Sequence, residues 1–145
     1  MSKRASRHVM VAAGLIEDGN NVLVAQRMPH DRYGLLWEFP GGKIEAGETA
    51  GQALARELME ELGVSVQVGE LVTVYEDEIP ELKITVLLLR CRIVAGEPQC
   101  RECHALRWVT GAQLEQLALA PADRKAAAWL RAQGLWKDID AGERV

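Results

Sequence analysis

Glu57, Glu60 and Glu61 stand one, three and four residues apart in the run Gly42 to Val64, GKIEAGETAGQALARELMEELGV. On a helix, side chains three and four apart are neighbours, so the three carboxylates would share one flank. Like charges at those spacings cost an isolated helix about 0.2–0.5 kcal/mol per pair. A cation facing them removes that cost, and hard oxygen donors suit Mg²⁺ or Mn²⁺. The competing interpretation is a solvated acidic helix face.

The elements around these residues decide what they can do. The pattern predicts a helix starting near Thr49, after Glu48, and stopping at Gly63, where glycine suits the position beyond a helix end. Ala50, Ala53, Leu54, Leu58 and Leu62 recur at spacings of three and four and mark the buried stripe beside the glutamates. Upstream, the apolar runs Val9 to Glu17 and Asn21 to Gln26 flank Asp18-Gly19-Asn20 and read as a hairpin. Leu35 to Phe39 then leads into Pro40-Gly41-Gly42, read as a turn whose glycines let a ligand approach the backbone. Downstream come two long strands, Gln67 to Glu76 and Lys83 to Val94, supported by β-branched content. A strand at Ala105 to Val109 and helices at Gly111 to Leu117 and Pro121 to Gln133 complete the pattern, with Thr110 as an N-cap and Pro121 at a first helical position.

Gly42, Glu48, Arg56-Glu57-Leu58, Glu60-Glu61 and Gly63-Val64 match the Nudix box at every specified position. A chance match is on the order of one in a billion per starting position at average residue frequencies. The chain therefore resembles the Nudix hydrolases, metal-dependent enzymes that cleave nucleoside diphosphates linked to another moiety. Val22 to Arg27, Leu36 to Lys43 and Ala95 to Glu102 are similar to the MutT-like, triphosphate-cleaving branch. The resemblance implies an α/β fold, a mixed β-sheet sandwiched between α-helices, in one domain with a core of about residues 8–133.

The resemblance also implies roles. Glu57, Glu60 and Glu61 become metal ligands, joined by the backbone carbonyl of Gly41 and by Glu102 from a distant segment. Glu57 and Glu102 are both candidates for the general base. Arg56 and Glu48 resemble the pair that braces the box and orients Glu57. Lys43 and Arg27 are candidate phosphate contacts, one a point charge and the other a planar fork; each could instead be a surface cation. In relatives that clear oxidised guanine, an asparagine follows a Pro-Ala pair and reads the base, and here the matching segment is Pro121-Ala122-Asp123. An ionised aspartate only accepts hydrogen bonds, which favours an amino edge such as cytosine N4. Leu82 stands where those relatives carry an arginine. Both departures lean away from 8-oxo-dGTP and towards the cytidine-nucleotide pyrophosphohydrolases. A helix-start acid is the competing role for Asp123.

Composition bounds the partners. The chain has 145 residues, 48% hydrophobic, enough for one globular core, and a net charge of −4. That balance disfavours polynucleotides, whose binding needs a basic face, and leaves a small nucleotide bridged by metal. MSKRASRH lacks the apolar stretch of a secretory signal, and no apolar run reaches membrane-spanning length, so the expected location is cytoplasmic. Either a monomer or a homodimer fits.

Cys91, Cys100 and Cys103 cannot all pair within one chain, which argues against a secreted disulfide framework. Cys100 to His104 has the CxxCH spacing of covalent haem attachment or half a metal site, but no second ligand cluster follows. The expectation is two ordinary thiols flanking Glu102, with reversible oxidation as the alternative. Trp37, Phe39, Tyr75 and Trp108 are read as core, and Trp129 and Trp136 as packing the last helix.

The expected activity is Mg²⁺-dependent hydrolysis of a nucleoside triphosphate to the monophosphate and pyrophosphate. Three alternatives stand beside it: an 8-oxo-dGTP-type hydrolase, a hydrolase of dinucleoside polyphosphates or nucleotide sugars, and a nucleotide-binding sensor. The complete carboxylate set argues against the sensor, and the motifs outside the box favour triphosphates.

Overall fold

A computed structural model of the chain describes residues 7–135. Its strands are β1 (Arg7–Asp18), β2 (Asn21–Gln26), β3 (Trp37–Glu38), β4 (Gly41–Lys43), β5 (Ser65–Ile79), β6 (Leu82–Ala95) and β7 (Ala105–Thr110). The helices are α1 (Ala50–Leu62), α2 (Gly111–Leu114) and α3 (Pro121–Ala132). The sheet runs β3-β2-β1-β6-β5, with β4 on β1 and β7 on β2. It is mixed because β1 lies parallel to β6 over ten residue pairs, Arg7↔Leu82 to Ile16↔Cys91, while the other pairings between these strands are antiparallel.

Alternation along β1 divides the core in two. Ala12 and Ile16 face one side, where α1 packs its buried Ala53, Leu54, Leu58 and Leu62. Ala13 and Leu15 face the other, against Ala126, Ala127 and Leu130 of α3 and Leu114 of α2. The sheet therefore sits between helices, as expected. Each fully buried leucine of α1 contributes about 2 kcal/mol of apolar burial, so this stripe, rather than the acidic flank, holds the helix down.

The helix termini follow the sequence closely. Thr49 Oγ1 accepts from Gln52 N–H at 3.1 Å, and Gln52 Oε1 accepts from Thr49 N–H at 2.9 Å, a reciprocal cap. Gly63 ends α1 at φ 71°, a left-handed conformation that glycine adopts without a Cβ penalty.

Three expectations need correction. Pro40-Gly41-Gly42 is not a turn: Gly41–Lys43 pairs with β1 through Ala13↔Gly41, Ala12↔Gly42 and Val11↔Lys43. Backbones come so close there that a Cβ on Gly41 would lie 2.0 Å from the Ala12 carbonyl oxygen. The helix expected over Gly111 to Leu117 closes at Leu114 and continues as a turn. Trp108 is not core but half-exposed on the outer face of β7, opposite its buried neighbour Val109. Trp37 and Phe39 are buried, Tyr75 is partly so, and Trp129 on α3 is half-exposed. Trp136 lies outside the described residues. Among the described residues no helix is long and apolar enough to cross a membrane.

Candidate active site

The acidic flank of α1 is organised by one cation. Arg56 Nε and Nη2 donate to Glu48 Oε2 and Oε1 at 2.6 and 3.0 Å, a two-pronged pair. Nη2 also reaches the Lys43 carbonyl at 3.0 Å, and Nη1 donates to Glu57 Oε2 at 2.9 Å and to Glu60 Oε1 at 3.1 Å. Glu48 accepts in addition from Glu45 N–H at 2.9 Å. The Arg56 hydrogen bonds, then that backbone bond, hold the Glu48 carboxyl well below the usual range, at about 2. Arg56 thus ties the loop before α1, strand β4 and the helix flank into one unit.

Glu57 packs under β4. A Cβ added to Gly42 would lie 2.2 Å from Glu57 Cδ, so the carboxyl occupies the space that a side chain at position 42 would need. Glu57 also lies close enough to Glu61 for their charges to repel. Burial first, then the neighbouring charges of Glu57 and Glu102, push the Glu61 carboxyl up to about 8. Burial and converging negative charge disfavour an anion there, and either a proton or a cation relieves both.

Glu102 arrives from the loop between β6 and β7. Gln99 N–H donates to the Leu62 carbonyl at 2.9 Å, Arg101 N–H to that of Glu61 at 3.2 Å and His104 N–H to that of Gln26 at 2.8 Å. The loop is therefore fastened to the C-terminal end of α1, whose free carbonyls need donors. Cys100 and Cys103, expected as two thiols, form a disulfide with their Cα atoms 5.4 Å apart. The turn of the docked loop brings the two side chains within bonding range.

A cleft of about 400 Å³ connects these groups, lined by Gly41, Gly42, Lys43, Glu61 and Glu102 together with Arg27, Glu38, Tyr75 and Asp123. Its size is ordinary for a small-molecule site. The carboxylates expected to be ligands are only partly gathered: Glu61 feels the charges of Glu57 and Glu102, whereas Glu60 turns towards Arg56 and is half-exposed. Among the described residues, no three His, Cys, Asp or Glu side chains stand close enough to hold a metal ion as they are. The donors nonetheless suit a hard divalent cation, being carboxylates with mutual repulsion and a protein carbonyl beside them.

The rest of the cleft wall contains Arg27 and Asp123. Arg27 Nη1 donates to Glu38 at 2.8 Å and Nε to the Arg32 carbonyl at 2.6 Å, so the fork is largely built into the wall. Lys43 is exposed at the rim. Asp123 is buried in the first turn of α3, where its Oδ1 accepts from Phe39 N–H and from the Tyr75 hydroxyl, both at 3.2 Å. Burial and then the charge of Glu38 push its carboxyl up to about 7 against those hydrogen bonds. Trp37 helps to place it, for Trp37 N–H donates to the Ala118 carbonyl and Ala120 N–H to that of Trp37, fixing the chain just before α3.

Leu82 does not reach this cleft. It starts β6 opposite Arg7 and Ile79, while Asp77 and Ile84 line the wall. Sequence reasoning missed Glu38. Its signal was a carboxylate between Trp37 and Phe39, whose alternation buries both aromatic neighbours and sends Glu38 to the opposite face.

Comparison with known proteins agrees with this architecture. The family model described as the NUDIX domain matches residues 6–130. The 8-oxo-dGTP diphosphatase of Proteus vulgaris is 47% identical over 102 residues, 66% of this chain and 91% of that protein. The CTP pyrophosphohydrolase of Escherichia coli K12 is 39% identical over 115 residues, 79% of this chain and 85% of that protein. The solution structure of the E. coli ORF135 protein superposes with a TM-score of 0.75 at 36% identity, covering 88% of this chain and 94% of that one. With its box residues braced by Arg56 at the edge of the cleft, the chain belongs to the Nudix hydrolase family.

Proposed function

We propose that the protein is a Mg²⁺-dependent nucleoside triphosphate pyrophosphohydrolase, releasing a nucleoside monophosphate and pyrophosphate, with cytidine or modified cytidine nucleotides preferred. The observation that carries this is the single cleft lined both by Glu61 and Glu102 and by Asp123. Glu57, Glu61, Glu102 and the Gly41 carbonyl would hold the divalent cation, and Glu60 would join them on leaving Arg56. Once held there, the cation would supply charge neutralisation at the anhydride oxygens.

The chain's own groups supply the rest. Lys43 at the rim and the remaining N–H donors of Arg27 meet phosphate oxygens. Glu57 already accepts from Arg56, whereas no hydrogen bond among the described residues engages the exposed Glu102 carboxylate. Glu102 is therefore the better acceptor for the proton of the attacking water. Asp123 commits Oδ1 to Phe39 and Tyr75, which leaves Oδ2 for the ligand. As an ionised acceptor it favours an amino edge, such as cytosine N4.

A second reading has its own support. With its carboxyl pushed up to about 7, Asp123 is partly protonated at neutral pH and then donates, which suits an oxidised guanine edge. The relative in Proteus vulgaris is named for 8-oxo-dGTP. On either reading the working unit is one domain built on about residues 8–133, acting on small nucleotides in the cytoplasm.

A panel of normal, oxidised and methylated nucleoside triphosphates, assayed for pyrophosphate against orthophosphate with and without Mg²⁺, separates these. The proposal expects metal-dependent pyrophosphate release with cytidine nucleotides ahead. Oxidised guanine ahead would select the second reading, and absent or metal-independent turnover would sink both.

A further inference from the structure

The disulfide between Cys100 and Cys103 encloses Glu102 in the segment Cys-Arg-Glu-Cys. Anchors lie on both sides of it: Gln99 on Leu62 before, Arg101 on Glu61 within, and His104 on Gln26 after. The Arg101 guanidinium lies over Gly63 and donates to the Met59 carbonyl at 3.3 Å, so the segment's other side chain is spent on the end of α1. Between the anchors at 101 and 104, the sulfur bridge restrains the backbone that presents Glu102. Cys103 lines a recess of about 40 Å³ with Glu61, Glu102 and Leu62, while Cys100 is exposed to solvent. The third cysteine, Cys91, is buried and stays a thiol, and burial pushes it up to about 12. Oxidation chemistry is thereby confined to the pair that brackets a candidate metal ligand.

We propose that Cys100 and Cys103 are a reversible redox site, the disulfide holding Glu102 in the cleft and the dithiol releasing it, so that thiol–disulfide exchange sets the affinity for the divalent cation. This rests on the placement of Glu102 in the carboxylate set. The exchange partner is a small-molecule disulfide. The exposed Cys100 thiolate attacks one of its sulfurs, expelling one thiol and leaving a mixed disulfide on the protein. Cys103 then attacks Cys100 Sγ and expels the second thiol, so the protein gives up two electrons and two protons while one small disulfide becomes two thiols. The reverse exchange with two thiols restores Cys100 and Cys103.

Loss of an outer support of a metal ligand weakens metal binding by about 10- to 100-fold, and the low end suits a loop still fastened at Leu62 and Gln26. The test measures Mn²⁺ binding by the full chain after equilibration with oxidised or with reduced glutathione and desalting, with intact mass reporting the thiol state. The oxidised protein is expected to bind Mn²⁺ about tenfold more tightly. Glu102→Gln is expected to bind weakly in both states, with no redox response. A C100S/C103S variant is expected to match the reduced protein in both buffers, and the wild-type comparison stands if that variant misfolds. Equal Mn²⁺ affinity in the two states, a response that survives in Glu102→Gln, or a pair that does not oxidise would overturn the proposal. Pyrophosphate release on the same samples separates the two levels. Turnover without a redox shift removes the redox site alone, whereas loss of both Mn²⁺ binding and turnover removes the functional reading beneath it.

Discussion

Replacing Gly42 with alanine separates the chemistry of the cleft from the stability of the fold. A Cβ there would lie 2.2 Å from Glu57 Cδ and 2.4 Å from Oε1, against an ordinary contact of at least 3.4 Å. The Glu57 carboxyl must retreat by about 1.2 Å or swing to another rotamer. That carboxyl is the far end of a flexible side chain, so the fold loses little and Tm should stay within about 4 °C of wild type. The chemistry loses much more. A misplacement of about 1 Å costs on the order of 100-fold, or about 2.7 kcal/mol of transition-state stabilisation. The assay is kcat/KM for metal-dependent pyrophosphate release, run beside a thermal melt. Gly41→Ala is the contrast, because its Cβ would meet the Ala12 carbonyl oxygen and Ala13 Cα, at 2.0 and 2.7 Å. Backbone cannot swing aside, so β4 must part from β1 and Tm should fall by about 10 °C. A Gly42→Ala protein with kcat/KM within about threefold of wild type would refute the claim that Glu57 works at the reacting centre.

Other substitutions test the remaining roles. Glu61→Gln should lower kcat by about 100-fold while nucleotide affinity changes little, and wild-type turnover would remove Glu61 from the metal site. Glu48→Gln should reduce turnover by about tenfold without abolishing Mn²⁺ binding; a complete loss of binding would make Glu48 a ligand rather than a brace. Asp123→Asn should weaken the use of cytidine nucleotides relative to guanine nucleotides, and an unchanged ranking would show that Asp123 does not read the base. The same variant tests pH linkage. Asp123 rises from 3.8 unfolded to about 7 folded, so the native state binds more protons between those values. Its contribution to stability therefore falls as pH rises through that window, and its cost is fully present above about 7. Wild type should lose more stability between pH 5 and 8 than Asp123→Asn, read as the difference in urea midpoints; equal slopes would contradict the buried carboxyl.

How much of this was legible beforehand depended on the range of the interaction. Thr49, Gln52 and Gly63 mark α1 because caps are contacts within one turn, and Leu54, Leu58 and Leu62 show its buried stripe by period alone. The reach of Arg56 to Glu48 was legible only through the family pattern, since the two stand eight positions apart across loop and helix. Pro40-Gly41-Gly42 was misread because glycine signals a turn and a close strand contact alike; the Ala12 carbonyl that distinguishes them lies 29 positions away. Glu38 and Asp123 share a cleft only after β3 and α3 meet, and no local pattern encodes that meeting. The disulfide failed for a different reason. CxxC spacing fits thiols and disulfide equally, and the choice lies in how the docked loop turns.

The parallel seam between β1 and β6 has a consequence during synthesis. Arg7 finds its partner at Leu82 and Ile16 finds its own at Cys91, each 75 residues later. At roughly 5–20 residues per second, β1 leaves the ribosome about 4–15 s before its central neighbour exists. Throughout that interval the run from Val9 to Ile16 offers an open edge of unpaired amides and carbonyls beside apolar side chains. Loop closure over such a span is also a slow route to a native strand pair. A nascent chain stalled before Cys91 would therefore hold a largely apolar strand available to other chains, so yield at high expression should track elongation speed and temperature more closely than the stability of the finished protein.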